Sequence, residues 1–67
     1  MKKLSKKEAT VLSYLKEGLR SREIAEKMEI SEKTVSTNIQ RARKKLGLSN
    51  DVNLYLLVAT AIEKELI

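Results

Sequence analysis

Apolar residues recur along this chain with the period of a helix. Ala9, Val11, Leu12 and Leu15 fall on one side when successive residues are turned by ~100°. The preceding Ser5-Lys6-Lys7-Glu8 is a capping box, in which the serine hydroxyl and the glutamate carboxylate each accept from the other residue's free backbone N–H. A first helix is therefore expected from Ser5 to about Glu17, closed by a left-handed Gly18, with Leu19 folded back toward Tyr14. A short second helix, Arg22 to Met28, offers Ile24, Ala25 and Met28 to a core, with Ser21 as its cap and Glu23 near its positive end.

Glu29-Ile30-Ser31 breaks the pattern, and Ser31 is placed to cap a third helix from Glu32 to about Leu46. Its apolar stripe is Val35, Ile39, Ala42 and Leu46, with Lys33, Thr37, Gln40 and Lys44 on the opposite side. Gly47 ends it, and Ser49-Asn50-Asp51 supplies candidate caps for a fourth helix reaching about Glu65. No β-branched run alternates with polar residues, and no repeat or low-complexity tract interrupts the chain. The pattern predicts an all-α, four-helix, bundle-like fold as a single domain over residues 1–67.

Composition narrows the function. The 67 residues contain no Cys, His, Pro, Phe or Trp. Without imidazole or thiol there is no zinc finger, Cys nucleophile, Ser/His/Asp triad or disulfide framework, so no enzyme, metal or cofactor is expected. Hydrophobic residues make up 42%, enough for a core. A core this small supplies only ~3–5 kcal/mol, so good helix packing or oligomerisation is the expected stabiliser. The longest nearly apolar run, Leu54 to Ile62, has nine residues, against the ~20 that span a bilayer. No apolar stretch follows Met1-Lys2-Lys3 as a signal peptide would need. A soluble cytoplasmic protein with no membrane partner is expected.

Charge adds a partner. The net charge of +5 suggests a polyanionic partner such as nucleic acid or an anionic membrane surface. Residues 1–7 carry +4, residues 8–32 carry −2, residues 33–46 carry +5 and residues 47–67 carry −2. Arg41, Arg43, Lys44 and Lys45 concentrate the charge on helix 3, where they also complement its dipole. The same helix carries Ser36, Thr37 and Gln40 outward, short polar side chains that can approach base edges. Ala25 allows helices 2 and 3 a close approach, Ile30 and Val35 fill the angle between them, and Ser31 caps the second of the pair. This resembles the pattern of a helix-turn-helix, in which the second helix enters the major groove; the alternative is an ordinary helical hairpin with a capped second helix.

Leu4-Ser5-x-x-Glu8, Val11-Leu12, Gly18-Leu19, Glu23-Ile24-Ala25, Ile30-Ser31-Glu32-Lys33-Thr34-Val35 and Lys45-Leu46-Gly47 together resemble the DNA-binding domain of the LuxR/GerE transcriptional regulators. The resemblance covers residues 4 to about 60. It implies a four-helix domain with helix 3 in the major groove of double-stranded DNA and helix 4 used for dimerisation. It places base readout on Ser36, Thr37 and Gln40, the face already found by counting. Gln pairs with adenine and the Thr methyl with the thymine methyl, which favours an A·T-containing target. Phosphates would be held by Ser21, Arg22, Lys33, Thr34, Asn38, Arg41 and Lys44. The chain departs from the family pattern at Ser36, where Lys is common, at Glu29, where the turn is usually apolar, at Asn38, where His is frequent, and at Asp51, where Arg is frequent. Gln40-Arg41-Ala42-Arg43-Lys44-Lys45-Leu46 is also similar to the end of region 4 of σ70-type factors, but the fourth helix argues against that assignment.

Helix 4 is apolar nearly all round. Leu54, Leu57, Val58, Ala61 and Glu65 occupy one side; Val52, Leu56 and Ala59 fall opposite, flanked by Tyr55 and Leu66. The first side is expected to pack on helices 1 and 3, and the second to meet another copy about a two-fold axis. The alternatives are the reverse assignment and a helix buried on every side. The reading is a dimeric, sequence-specific DNA-binding transcription regulator, with an RNA polymerase contact open to it. Its rival is a protein-interaction module that docks helix 4 on a larger regulator or polymerase subunit. A membrane-surface peptide is disfavoured, because the basic and the most apolar helices are separate. Met1 standing directly before the domain favours a stand-alone regulator over a fragment of a longer one.

Overall fold

Ser5 opens the first helix as its sequence requires. Its hydroxyl accepts from the Glu8 N–H at 3.2 Å while the Glu8 carboxylate accepts from the Ser5 N–H at 2.8 Å. In the computed structural model, which describes residues 3–67, this starts α1 (Lys6–Lys16), followed by α2 (Ser21–Met28), α3 (Glu32–Lys45) and α4 (Leu54–Glu63). The expected all-α, four-helix architecture is the one observed.

One closing device is used four times. Each helix is followed by a residue with positive φ: Gly18 (93°), Glu29 (55°), Gly47 (74°) and Glu65 (57°). After each comes an apolar residue whose N–H donates five residues back: Leu19 to Tyr14, Ile30 to Ala25, Leu48 to Arg43 and Leu66 to Ala61, at 2.8–3.1 Å. These are Schellman turns, and all four apolar residues pack against the core. Glycine adopts this conformation freely, whereas the two glutamates hold it at a cost of about 1 kcal/mol each. The sequence signals were legible at Gly18 and Gly47 but not at the glutamates.

Three boundaries differ from expectation. Ser21 does not cap α2; Arg20 has the extended cap conformation, and its N–H donates to the Glu23 carboxylate at 2.9 Å. The first turn is thus secured by an acid reaching back, with no hydroxyl needed. Ser49, Asn50 and Asp51 do not cap α4, because they form a turn of their own in which the Val52 N–H donates to the Ser49 carbonyl. Asn53 is the cap, accepting from the Leu56 N–H at 2.8 Å. Val52 therefore precedes α4, and Glu65 lies beyond its end.

The core is Val11, Leu12, Ile24, Ala25, Val35, Ile39, Ala42, Leu57 and Ala61. α3 lies across α1 and α2, and α4 packs on α1 as expected, but without the comparable packing on α3 that was also expected. Leu57 and Ala61 face inward, while Leu54, assigned to the same side from the sequence, is 38% exposed. Among the described residues α1 is the only helix with sizeable contact to α4, and the rim of that side stays open.

A single ion pair among the described residues ties the start of α1 to the end of α3. Lys45 Nζ donates to Glu8 Oε1 at 2.8 Å, with the glutamate 3% exposed. Burial opposes its ionisation, but the hydrogen bond and charge of Lys45 and the Ser5 donors outweigh it and hold the Glu8 carboxyl below its usual range. A carboxyl depressed in the folded state stabilises above its unfolded pKa, and that contribution is lost as pH falls through the folded value. Thermal melting is expected to drop between pH 6 and pH 3, and the drop should shrink in Glu8→Gln. At pH 6 that variant should itself be about 2 kcal/mol less stable, the worth of a charged hydrogen bond. Equal acid sensitivity in both proteins would refute this role.

Candidate nucleic-acid interface

The turn between α2 and α3 fixes how α3 is presented. Ser31 Oγ accepts from the Thr34 N–H at 3.0 Å and lies 2.9 Å from Thr34 Oγ1, so both hydroxyls are engaged at the helix start. Val35, Ile39 and Ala42 are buried and anchor the inner side of α3. Lys33, Ser36, Thr37, Gln40, Arg41 and Lys44 are exposed on the rest. Thr37 Oγ1 donates to the Lys33 carbonyl at 3.0 Å, which leaves its methyl group as the free end.

The cationic surface is narrower than the charge count suggests. Arg43 is 9% exposed, with an Nε that meets no partner, and Lys45 is held by Glu8. Of the four cations late in α3, only Arg41 and Lys44 are exposed and outside any ion pair among the described residues. Asn38 is 5% exposed, and its amide donates to the Thr34 carbonyl at 3.0 Å. It sits with the packing side, where a polar residue is satisfied by its own helix. Ser21, half-buried, and Arg22, exposed, stand in the first turn of α2, the helix packed on α3.

Beyond the last turn of α3, Gly47 and the Leu48 hydrogen bond fold the chain back on itself. Gln40, Arg41 and Lys44 then line an open cleft of about 630 Å³ together with Leu48, Ser49 and Asn50. The periodicity of α3 alone did not point to the last two. Next to it, Ser49 Oγ donates to Asp51 Oδ1, and this bond, aided by the Asp51 backbone and the Arg43 charge, holds the Asp51 carboxyl below its usual range.

Away from the residues of that cleft, α4 leaves apolar surface uncovered. Tyr55 and Leu56 are exposed, as is Ile62, while Ala59 and Val52 are half-buried. Leu15, Leu19, Leu54, Tyr55, Val58 and Ile62 line most of a groove of about 460 Å³ between α1 and α4. Among the described residues no group of His, Cys, Asp and Glu could hold a metal ion, and no helix is long and apolar enough to cross a membrane.

A capped second helix set across the first at a short turn, with its polar and basic side free, defines a helix-turn-helix domain, here extended by a fourth helix. The chain belongs to the luxR family of bacterial regulatory proteins, whose profile matches residues 2–58. It is 47% identical over 51 residues to the Fimbriae Z protein of Escherichia coli K12, covering 76% of this chain and 24% of that one. It is 46% identical over 52 residues to the DNA-binding transcriptional activator EvgA of the same strain, covering 78% and 26%. Against the transcriptional regulatory protein RcsB of that strain it is 45% identical over 53 residues, covering 79% and 24%. The chain thus spans about a quarter of the length of these relatives. No solved structure matches it significantly.

Proposed function

We propose that this chain is a sequence-specific, double-stranded-DNA-binding domain of a cytoplasmic transcription regulator, with α3 in the major groove. The observation that carries the reading is the exposed side of α3: Ser36, Thr37 and Gln40 in the middle, with Lys33, Arg41 and Lys44 around them and no acid after Glu32 on that helix. Short polar side chains read base edges, and cations fix the register on phosphates. Ser21, Arg22 and Thr34 complete the phosphate set. Asn38 takes a packing role in this reading, since its amide is already bound. Membership of the luxR family of regulatory proteins, and the similarity to the DNA-binding transcriptional activator EvgA and the transcriptional regulatory protein RcsB, support the same conclusion.

The test compares two variants on a duplex recovered by selection from a random library and on unrelated DNA. Gln40→Ala should lose about 1–3 kcal/mol on the selected site and little elsewhere, whereas Lys44→Ala should weaken all sequences alike. Equal losses for both variants on every duplex would remove Gln40 from base readout.

The uncovered side of α4 supports a homodimer, which would set two α3 helices in successive major grooves about 34–36 Å apart. Leu56, with Tyr55 and Ala59 beside it, is the centre of that surface in our reading; Val52 lies at its edge. Leu56→Glu should leave a folded monomer whose operator affinity drops. An unchanged dimer mass in sedimentation would reject the interface.

A further inference from the structure

We propose that the turn between α3 and α4 is part of the DNA interface, and that its cleft takes one backbone phosphodiester against Asn50, Arg41 and Lys44. This rests on the DNA-binding reading above and extends it to a segment outside the recognition helix. Three observations carry it. The positive φ of Gly47 and the 2.8 Å bond from the Leu48 N–H to the Arg43 carbonyl bring residues 48–50 alongside the end of α3 instead of away from it. The cleft so formed joins two unpaired cations, Arg41 and Lys44, to the amide of Asn50, and its wall includes Gln40 from the readout side. The one carboxylate of residues 46–53, Asp51, is outside the cleft lining and is held by the Ser49 hydroxyl.

This arrangement suits a tetrahedral monoanion. Arg41 and Lys44 supply charge and several donors, and Asn50, from the turn that lines the same cleft, adds a neutral donor. Ser49 acts as a positioning residue, because its hydroxyl is spent on Asp51 and keeps that charge from turning toward the phosphate. A free phosphate ion has the same chemistry, but an open cleft that shares Gln40 with the readout surface fits a backbone running past the base contacts.

Asn50 is exposed in a turn, so its replacement should leave the fold intact, which a helical melting curve checks. On a mixed-sequence 30-base-pair duplex at low salt, Asn50→Ala should weaken binding about two- to tenfold. Asn50→Asp should weaken it by at least roughly tenfold, through the like charge, and flatten the slope of log affinity against log salt by about 0.9, one phosphate contact. The effect should be equal on selected and unrelated duplexes. If Lys44→Ala weakens binding while Asn50→Asp stays within twofold of the parent, the cleft lies off the DNA and the proposal fails with the DNA reading intact. If inorganic phosphate binds the parent but not Asn50→Asp while the two proteins bind DNA equally well, the cleft is an anion site unrelated to DNA, and the proposal is again overturned. If the parent binds no duplex at all, both readings fall.

Discussion

Raising the salt concentration from about 50 to about 200 mM is expected to lower the affinity of the proposed dimer for a DNA site recovered by selection by ~10³–10⁵. The reasoning is electrostatic. Each phosphate neutralised by a Lys or Arg releases condensed counterions, and a dimer contacting ~6–10 phosphates carries that many increments in its salt slope. Lys33, Arg41 and Lys44 are exposed and unpaired on each copy, with Arg22 on the neighbouring helix. Four cations per copy bring a dimer into that range. Arg43 and Lys45 should add little, since one is buried and the other is paired with Glu8. Isothermal binding curves across that salt range check the slope. A flat response would mean that α3 does not track the backbone and would favour the rival protein-interaction reading.

Replacing Leu12 by Ala is expected to leave the domain largely unfolded at 37 °C. Leu12 is fully buried among the core residues contributed by all four helices. Deleting most of such a side chain costs about 2–5 kcal/mol, the lost transfer free energy plus the cavity left behind. The whole core of a domain this size supplies only ~3–5 kcal/mol, so little or nothing remains. Leu56→Ala on the exposed side of α4 serves as the contrast and should shift the stability of the monomer by less than about 0.5 kcal/mol. Helical circular dichroism through a thermal melt distinguishes them. A cooperative melt of Leu12→Ala near that of the parent would show that some other interaction carries the fold.

The helix-turn-helix itself was readable because its signals are local. Ser5 with Glu8, Gly18 with Leu19, and Ser31 before Thr34 act within a few residues, so spacing alone places them. The stripe of Val35, Ile39 and Ala42 likewise fixes which side of α3 is buried, and hence that Ser36, Thr37 and Gln40 are free. Where two residue types can do the same job, the local signals failed. Glu23 secured the start of α2 without Ser21, and Glu29 and Glu65 took left-handed conformations usually left to glycine.

Sequence by itself determined the four helices, the apolar stripes of α1 to α3, the basic character of α3 and the resemblance that the family match bears out. Tertiary structure decided which charges are available. Formal charge is a property of residue type, but whether a cation reaches solvent depends on what packs beside it. Thus Lys45 meets Glu8 from 37 positions away and Arg43 is covered, while Arg41 and Lys44 stay free. It also decided that α4 rests on α1 and leaves Tyr55, Leu56 and Ile62 uncovered. A helix apolar nearly all round carries no periodic signal for its buried side, so only the position of its neighbour could choose.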